Sequence, residues 1–284
     1  MAGDNHESYS WLATHRCERA LVTLIGDIGP WSERIVLVGG LVPRYIVGSL
    51  PLGARPHVGS TDVDLVIELA VEEAAETYET LQTNLKKSGF ASTEPSYRWS
   101  RKVDGTPVVV EFLCETDQTG AGRIYRPKQG TGSNFAAFNV PGAELATRDF
   151  VETTVEAERL DHGGLSQVKF RVAGLLPYVT LKILAFQDRH HDKDAYDLVY
   201  TLLNYPEGGP SAAGRAAAIS RVREEQQAID ALQMLAERFL STDHDGPSAY
   251  ADFLAEPVGT DGNARLRNEA VIAVRQFLTA ARAK

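Results

Sequence analysis

Two hydrophobic rhythms divide the chain. Up to about residue 165 apolar side chains come in short branched runs stopped by glycine, and beyond it they recur at three- and four-residue spacing. The first rhythm belongs to strands and the second to helices. The sequence therefore predicts an α/β (α+β) fold: a mixed N-terminal sheet with flanking helices, followed by a mainly helical C-terminal half. Domains over residues 1–165 and 166–284 follow, with the boundary falling near Gly163 to Pro177.

The first half opens with helical spacing from Leu12 to Leu24, and Gly26, Gly29 and Pro30 then break the chain. Ile35 to Val38 is a continuous branched run, the mark of a strand buried on both faces, and Gly39-Gly40 ends it before a short helical stretch through Tyr45 to Val47. A loop rich in glycine and proline, Gly48 to Ser60, leads into a second strand, Thr61 to Ile67. Good helix formers fill Val71 to Ser88, with Gly89 at the C-terminal position. Tyr97 to Val103 and Val108 to Cys114 read as a hairpin, because Asp104-Gly105 supplies the positive φ angles of a tight turn. The pattern is lost from Gln118 to Gly142, and Val168 to Val172 is one more candidate strand. Helices are expected over Val179–Arg189, Lys193–Leu203, Arg215–Leu240 and Asn263–Ala281, the third lined by Ile219, Val222, Ile229, Leu232, Leu235 and Phe239.

Charge narrows the function. The 284 residues carry 29 basic and 38 acidic side chains, a formal charge of −9. That balance argues against wholesale electrostatic binding to nucleic acid or an anionic membrane and leaves room only for a local basic strip. Cys17 and Cys114 form no Cys-x-x-Cys pair, the first ten residues are polar and acidic, and no apolar run approaches about 18 residues. A soluble, cytoplasmic protein with no membrane partner is the expectation.

The acids are placed where a buried sheet would not choose them. Asp62 and Asp64 leave the same face of their strand about 6–7 Å apart, and at an effective dielectric near 20 two such charges repel by about 2–3 kcal/mol. A divalent cation offsets that repulsion directly, and Mg²⁺ takes carboxylate oxygens together with substrate phosphates. Two aspartates facing water at a strand end are the plainer explanation of an isolated Asp-x-Asp. Two neighbours weigh against it. Upstream, Gly39-Gly40 leads into a helix, so bare backbone N–H groups can approach a phosphate, with Arg44 one turn along. Downstream, Glu111 interrupts the apolar run Val108-Val109-Val110-Glu111-Phe112-Leu113, where an acid is costly without a cation.

Gly39-Gly40, Asp62-Val63-Asp64 and Glu111, in that order, resemble the polymerase-β-type nucleotidyltransferase superfamily, whose minimal pattern is a Gly-Gly or Gly-Ser turn, an Asp-x-Asp strand and a third acid. The later run Leu181-Lys182-Ile183-Leu184-Ala185-Phe186, then Arg189, then Lys193-Asp194-Ala195-Tyr196-Asp197-Leu198, is similar to the C-terminal signature of its AbiEii toxin branch, which includes MenT-like toxins. The resemblance spans Val36 to Leu203, and its specificity lies in the combined order. It implies a nucleotidyltransferase-like sheet and transfer of a nucleotide from a nucleoside triphosphate to an acceptor, with Mg²⁺ (or Mn²⁺) as cofactor and pyrophosphate as the other product. In that branch the acceptor is the 3′ end of tRNA, and a cognate antitoxin restrains the activity.

On this reading Asp62, Asp64 and Glu111 are the metal ligands, and Glu111 is alternatively the base for the acceptor hydroxyl. The superfamily usually has Asp at the third position, and the Glu here reaches further. Gly39, Gly40, Arg44, Thr61, Lys182, Arg189 and Lys193 are candidates for nucleotide contact, with Lys182 and Asp194 carried over as functional residues. Seven residues separate Lys182 from Arg189 on one helix face, and Lys193 and Asp197 are spaced for an internal ion pair. Arg98, Arg101, Lys102, Arg123, Arg126 and Lys128 are the candidate RNA-binding strip. His57 is read as a surface or substrate-touching residue, and His190-His191 as a weak metal candidate. A small hydroxylated molecule or a protein side chain is the alternative acceptor. A protein that binds nucleotide or a partner without turnover is the alternative of a different class.

Overall fold

A computed structural model describes residues 9–50, 55–69, 75–93, 97–127, 135–160, 164–254 and 260–283. They form a mixed α and β structure with a nine-stranded sheet, as the two hydrophobic rhythms predict. The chain divides into two compact units. The sheet unit comprises residues 11–41 and 59–173, and the helical unit comprises 1–10, 42–58 and 174–284. The sheet unit therefore extends to residue 173 rather than 165. The short segment 42–58 leaves the first half of the sequence to join the second unit, an exchange that composition does not mark.

In the sheet unit, helix α1 (Trp11–Asp27) buries Cys17, Ala20, Leu21, Leu24 and their neighbours. Strand β1 (Ile35–Val38) is buried along its whole length, which is why its sequence is uninterrupted. Then come β2 (Asp62–Ile67), helix α3 (Ala75–Lys87), β3 (Ala91–Thr93), β4 (Arg98–Val103), β5 (Thr106–Cys114), β6 (Ile124–Tyr125), β7 (Ala137–Asn139), helix α4 (Ala143–Arg148), β8 (Phe150–Glu158) and β9 (Leu165–Ala173), with α2 falling in the other unit. The strand order is β3-β4-β5-β2-β1-β9-β8, and β7 pairs with β5 and with β6. The predicted turn between β4 and β5 is formed: Asp104 has φ 49° and Gly105 φ 78°.

Six elements escaped the sequence reading: β3, β6, β7 and β8, and the helices at Ala143–Arg148 and Asp245–Leu254. β6 and β7 are only two and three residues long. β8 is an edge strand whose alternate exposed positions are Glu152, Thr154, Glu156 and Glu158, so it lacks the apolar density of β1.

In the helical unit α2 (Pro43–Ile46) is followed by α5 (Leu175–Arg189), α6 (Asp192–Leu203), α7 (Gly209–Ala218), α8 (Gln226–Arg238), α9 (Asp245–Leu254) and α10 (Thr260–Ala281). Pro177 lies inside the first turn of α5 rather than before it, a position whose N–H has no helical partner in any case. The single helix expected over Arg215–Leu240 is two. Between them the Ser220 hydroxyl accepts a hydrogen bond from the Val222 N–H at 3.3 Å, a local bond that competes with the helix. Ile219, expected on the apolar stripe, is consequently 81% exposed.

α7 and α10 approach at Gly214. A side-chain carbon there would lie 2.3 Å from the Phe277 carbonyl and 2.6 Å from the Ala280 Cβ. Gly214→Ala is therefore expected to cost about 1–3 kcal/mol through overpacking, despite alanine's better helix propensity, as read by urea unfolding. No helix among the described residues is long and apolar enough to cross a membrane.

Candidate active site

One row of side chains crosses four strands of the sheet unit. Val38 of β1 pairs with Asp64 of β2, Asp64 with Glu111 of β5, and Glu111 with Arg98 of β4. Directly after Val38 comes Gly39, at φ 73°, and a side-chain carbon on it would sit 1.9 Å from the Asp64 Oδ2. The glycine is thus required twice, for its backbone angle and for the space that the carboxylate fills. Asp62 lies on the same strand face two residues earlier, and its Oδ1 accepts a hydrogen bond of 2.7 Å from the Ser60 hydroxyl. Thr61 beside it is exposed and Gly40 is buried.

Cys17 of α1 lies close to these acids. Its thiol donates to the Ser60 carbonyl at 3.5 Å, and burial followed by the charges of Asp62, Asp64 and Glu18 pushes its pKa far up. Each of the charges that shift it is negative. The two aspartates present hard oxygen donors beside a glycine with no side chain, and such a donor set suits Mg²⁺ or Mn²⁺.

The third carboxylate departs from expectation. The Arg98 Nε donates to the Glu111 Oε1 at 2.7 Å. Among the described residues no three His, Cys, Asp or Glu side chains are placed to share one ion. Asp62, Asp64 and Glu111 are thus neighbours on one sheet face without forming a ready-made three-carboxylate centre, and an arginine across the hairpin holds Glu111. A cleft of about 660 Å³ in the same unit, lined by Glu68, Glu115, Asp117 and Glu144, lies past the opposite end of β2.

In the helical unit Lys182, Arg189, Lys193 and Asp194 do meet, around each other and around Asp197. The Lys182 ammonium donates to Asp194 at 3.0 Å and to Asp197 at 2.6 Å. Arg189 grips both oxygens of Asp194, at 2.8 and 2.9 Å, and Lys193 grips both oxygens of Asp197, each at 2.9 Å. Lys182 is only 5% exposed. The expected reach of this lysine to a phosphate is thus not the arrangement the unit holds, since burial makes two carboxylates its partners. Arg44 is exposed on α2 of the same unit. His190 caps α5 in a left-handed conformation and His191 is the N-cap of α6, so their backbone roles differ.

His57 is a correction of the surface reading. Its ring is buried, shares a hydrogen bond of 2.8 Å with Asp197 and stacks on Tyr196 with ring centres 5.3 Å apart. Burial would raise the Asp197 pKa, but the ammoniums of Lys182 and Lys193 and the His57 bond outweigh it and hold the carboxyl far below its usual range. Burial, opposed by Asp197, lowers the His57 pKa.

The sign of the pH effect follows. With the folded pKa below the unfolded value near 6.5, the unfolded chain binds the extra proton, so stability is complete above about pH 6.5 and falls as the pH drops towards the folded pKa. His57→Gln is expected to weaken this loss of stability below about pH 6.5, as read by urea unfolding at a series of pH values.

The basic strip is not one surface. β4 alternates, so Arg98 faces Glu111 while Arg101 turns to the opposite face and donates to the Ser88 carbonyl at the end of α3. Lys102, Arg123 and Arg126 are exposed, and Lys128 lies outside the described residues. Sequence reasoning missed the Arg98–Glu111 pair and the buried place of His57. The first was legible in principle from the register that the Asp104-Gly105 turn imposes, whereas no local signal marks the second. No protein-family model, curated protein or solved structure matches the chain.

Proposed function

We propose that the protein is a Mg²⁺-dependent nucleotidyltransferase whose chemistry belongs to the sheet unit. The observation that carries this reading is the fit of Asp64 against Gly39, with Asp62 on the same face and Glu111 in register beside it. Asp62 and Asp64 would hold the cation, which when bound supplies charge neutralisation at the phosphates. An acceptor hydroxyl attacks the α-phosphorus of a nucleoside triphosphate and gives its proton to solvent water, a new P–O bond forms, the bond from the α-phosphorus to the bridging oxygen breaks, and pyrophosphate leaves with the electron pair. The backbone N–H groups around Gly39 and Gly40 would be the donors to the triphosphate. In the helical unit the role assigned to Lys182, Arg189, Lys193, Asp194 and Asp197 is to lock α5 to α6.

The acceptor we assign is the 3′-terminal hydroxyl of tRNA, with a cognate antitoxin as the restraining partner. This rests on the order of motifs from Gly39 to Asp197, since the dispersed basic residues give it little support. A nucleotide-binding protein without turnover is the second reading, favoured by the engagement of Glu111 with Arg98. Incubation with α-labelled nucleoside triphosphates, Mg²⁺ or Mn²⁺, and separate RNA, protein and metabolite fractions tests both. Label in tRNA supports the assignment, label in another fraction replaces the acceptor, and nucleotide binding without label in any fraction supports the second reading.

A further inference from the structure

We infer that Arg98 is a positioning residue that keeps Glu111 away from the aspartate pair until an anionic substrate draws the guanidinium off. The inference rests on the cation-binding role proposed for Asp62 and Asp64. Strand register sets the geometry: Asp64, Glu111 and Arg98 occupy consecutive places in one row across β2, β5 and β4. Glu111 therefore has a carboxylate on one side and a guanidinium on the other, and its Oε1 accepts the Arg98 Nε at 2.7 Å. The hairpin fixes this register, so the pairing is built into the backbone rather than into a flexible side chain's choice.

Exposure gives the pair its direction of exchange. The Glu111 side chain is 19% exposed and the Arg98 side chain 45%. A half-exposed ion pair contributes little to stability, so the guanidinium separates at small cost. It also lies over the Tyr97 ring, 5.0 Å from the ring centre. Arginine forms paired hydrogen bonds with phosphate as readily as with carboxylate. A triphosphate arriving at the aspartate face offers Arg98 a phosphate and leaves Glu111 to the cation. Asp62 and Asp64 would hold the divalent ion in the resting protein and Glu111 would join them once Arg98 turns to the phosphate, which would make nucleotide and metal binding mutually reinforcing.

The test titrates Mn²⁺ into the full-length protein without nucleotide, read by electron paramagnetic resonance of the free ion. Arg98→Ala is expected to tighten Mn²⁺ about tenfold, because a third carboxylate joins the site, and Glu111→Gln added to it should return the affinity to that of wild type. Arg98→Lys should stay near wild type. Addition of a non-hydrolysable nucleoside triphosphate should tighten Mn²⁺ in wild type and do so less in Arg98→Ala. Arg98→Gln serves as a second neutral variant should alanine disturb β4, with circular dichroism as the control. Unchanged Mn²⁺ affinity in both neutral variants, while Asp64→Asn abolishes the site, overturns the role of Arg98 alone. A wild-type protein whose Mn²⁺ binding is indifferent to Asp62→Asn and Asp64→Asn overturns the metal reading itself.

Discussion

Asp64→Asn is expected to lower nucleotide transfer by at least about 10²–10³-fold while leaving the fold intact. The substitution keeps the size and one oxygen of the side chain, so the space beside Gly39 stays filled, but it removes a charge that the proposed cation would require. Stability should not fall, because one member of a repelling pair has been neutralised on a partly exposed strand face. Loss of activity without loss of stability is the signature of a residue retained for chemistry rather than folding. Gly39→Ala approaches the same site sterically. Its Cβ would collide with the Asp64 carboxylate, and φ 73° is strained for alanine, so both activity and stability should decline. The measurement is labelled-nucleotide incorporation at saturating substrate, with thermal unfolding alongside. Activity within tenfold of wild type in Asp64→Asn would remove this carboxylate from the mechanism.

Asp197→Ala should produce the largest loss of stability in the helical unit, about 3–5 kcal/mol, with a midpoint lowered by on the order of 10 °C. Asp197 accepts from Lys182, Lys193 and His57 together, and it is wholly buried. Its removal leaves Lys182 to share Asp194 with Arg189 and leaves the buried Lys193 without its helical partner one turn away. The cost comes mainly from cations stranded out of water rather than from the bonds themselves. Asp197→Asn keeps an acceptor for His57 and should lose less. Urea unfolding decides the matter: a cost below about 1 kcal/mol for Asp197→Ala would mean that water reaches the ammoniums and that the cluster is not a dry lock.

Much of the fold was legible because its signals are local. The run Ile35–Val38, the Asp104-Gly105 turn and the helices around Leu181 and Tyr196 each announce themselves within a few residues, since burial on both faces, positive φ angles and 3.6-residue periodicity leave marks in the chain. Among the unforeseen pieces are β8, glutamate-rich at an edge; β3, β6 and β7, too short to carry a pattern; and the break at Ser220, where a side chain outcompetes a helix turn.

The same distinction holds for the candidate site. Sequence by itself determined that Asp62 and Asp64 share a strand face, that a glycine turn precedes them and that an acid interrupts the apolar strand of the hairpin, because strand alternation and turn chemistry act over a few residues. Tertiary structure alone decided that Asp64 fills the space over Gly39, that Arg98 takes Glu111, and that Lys182 and His57 are enclosed with Asp197. Those outcomes depend on strand register and on burial, which are settled between elements distant in the chain and leave no trace within any one of them.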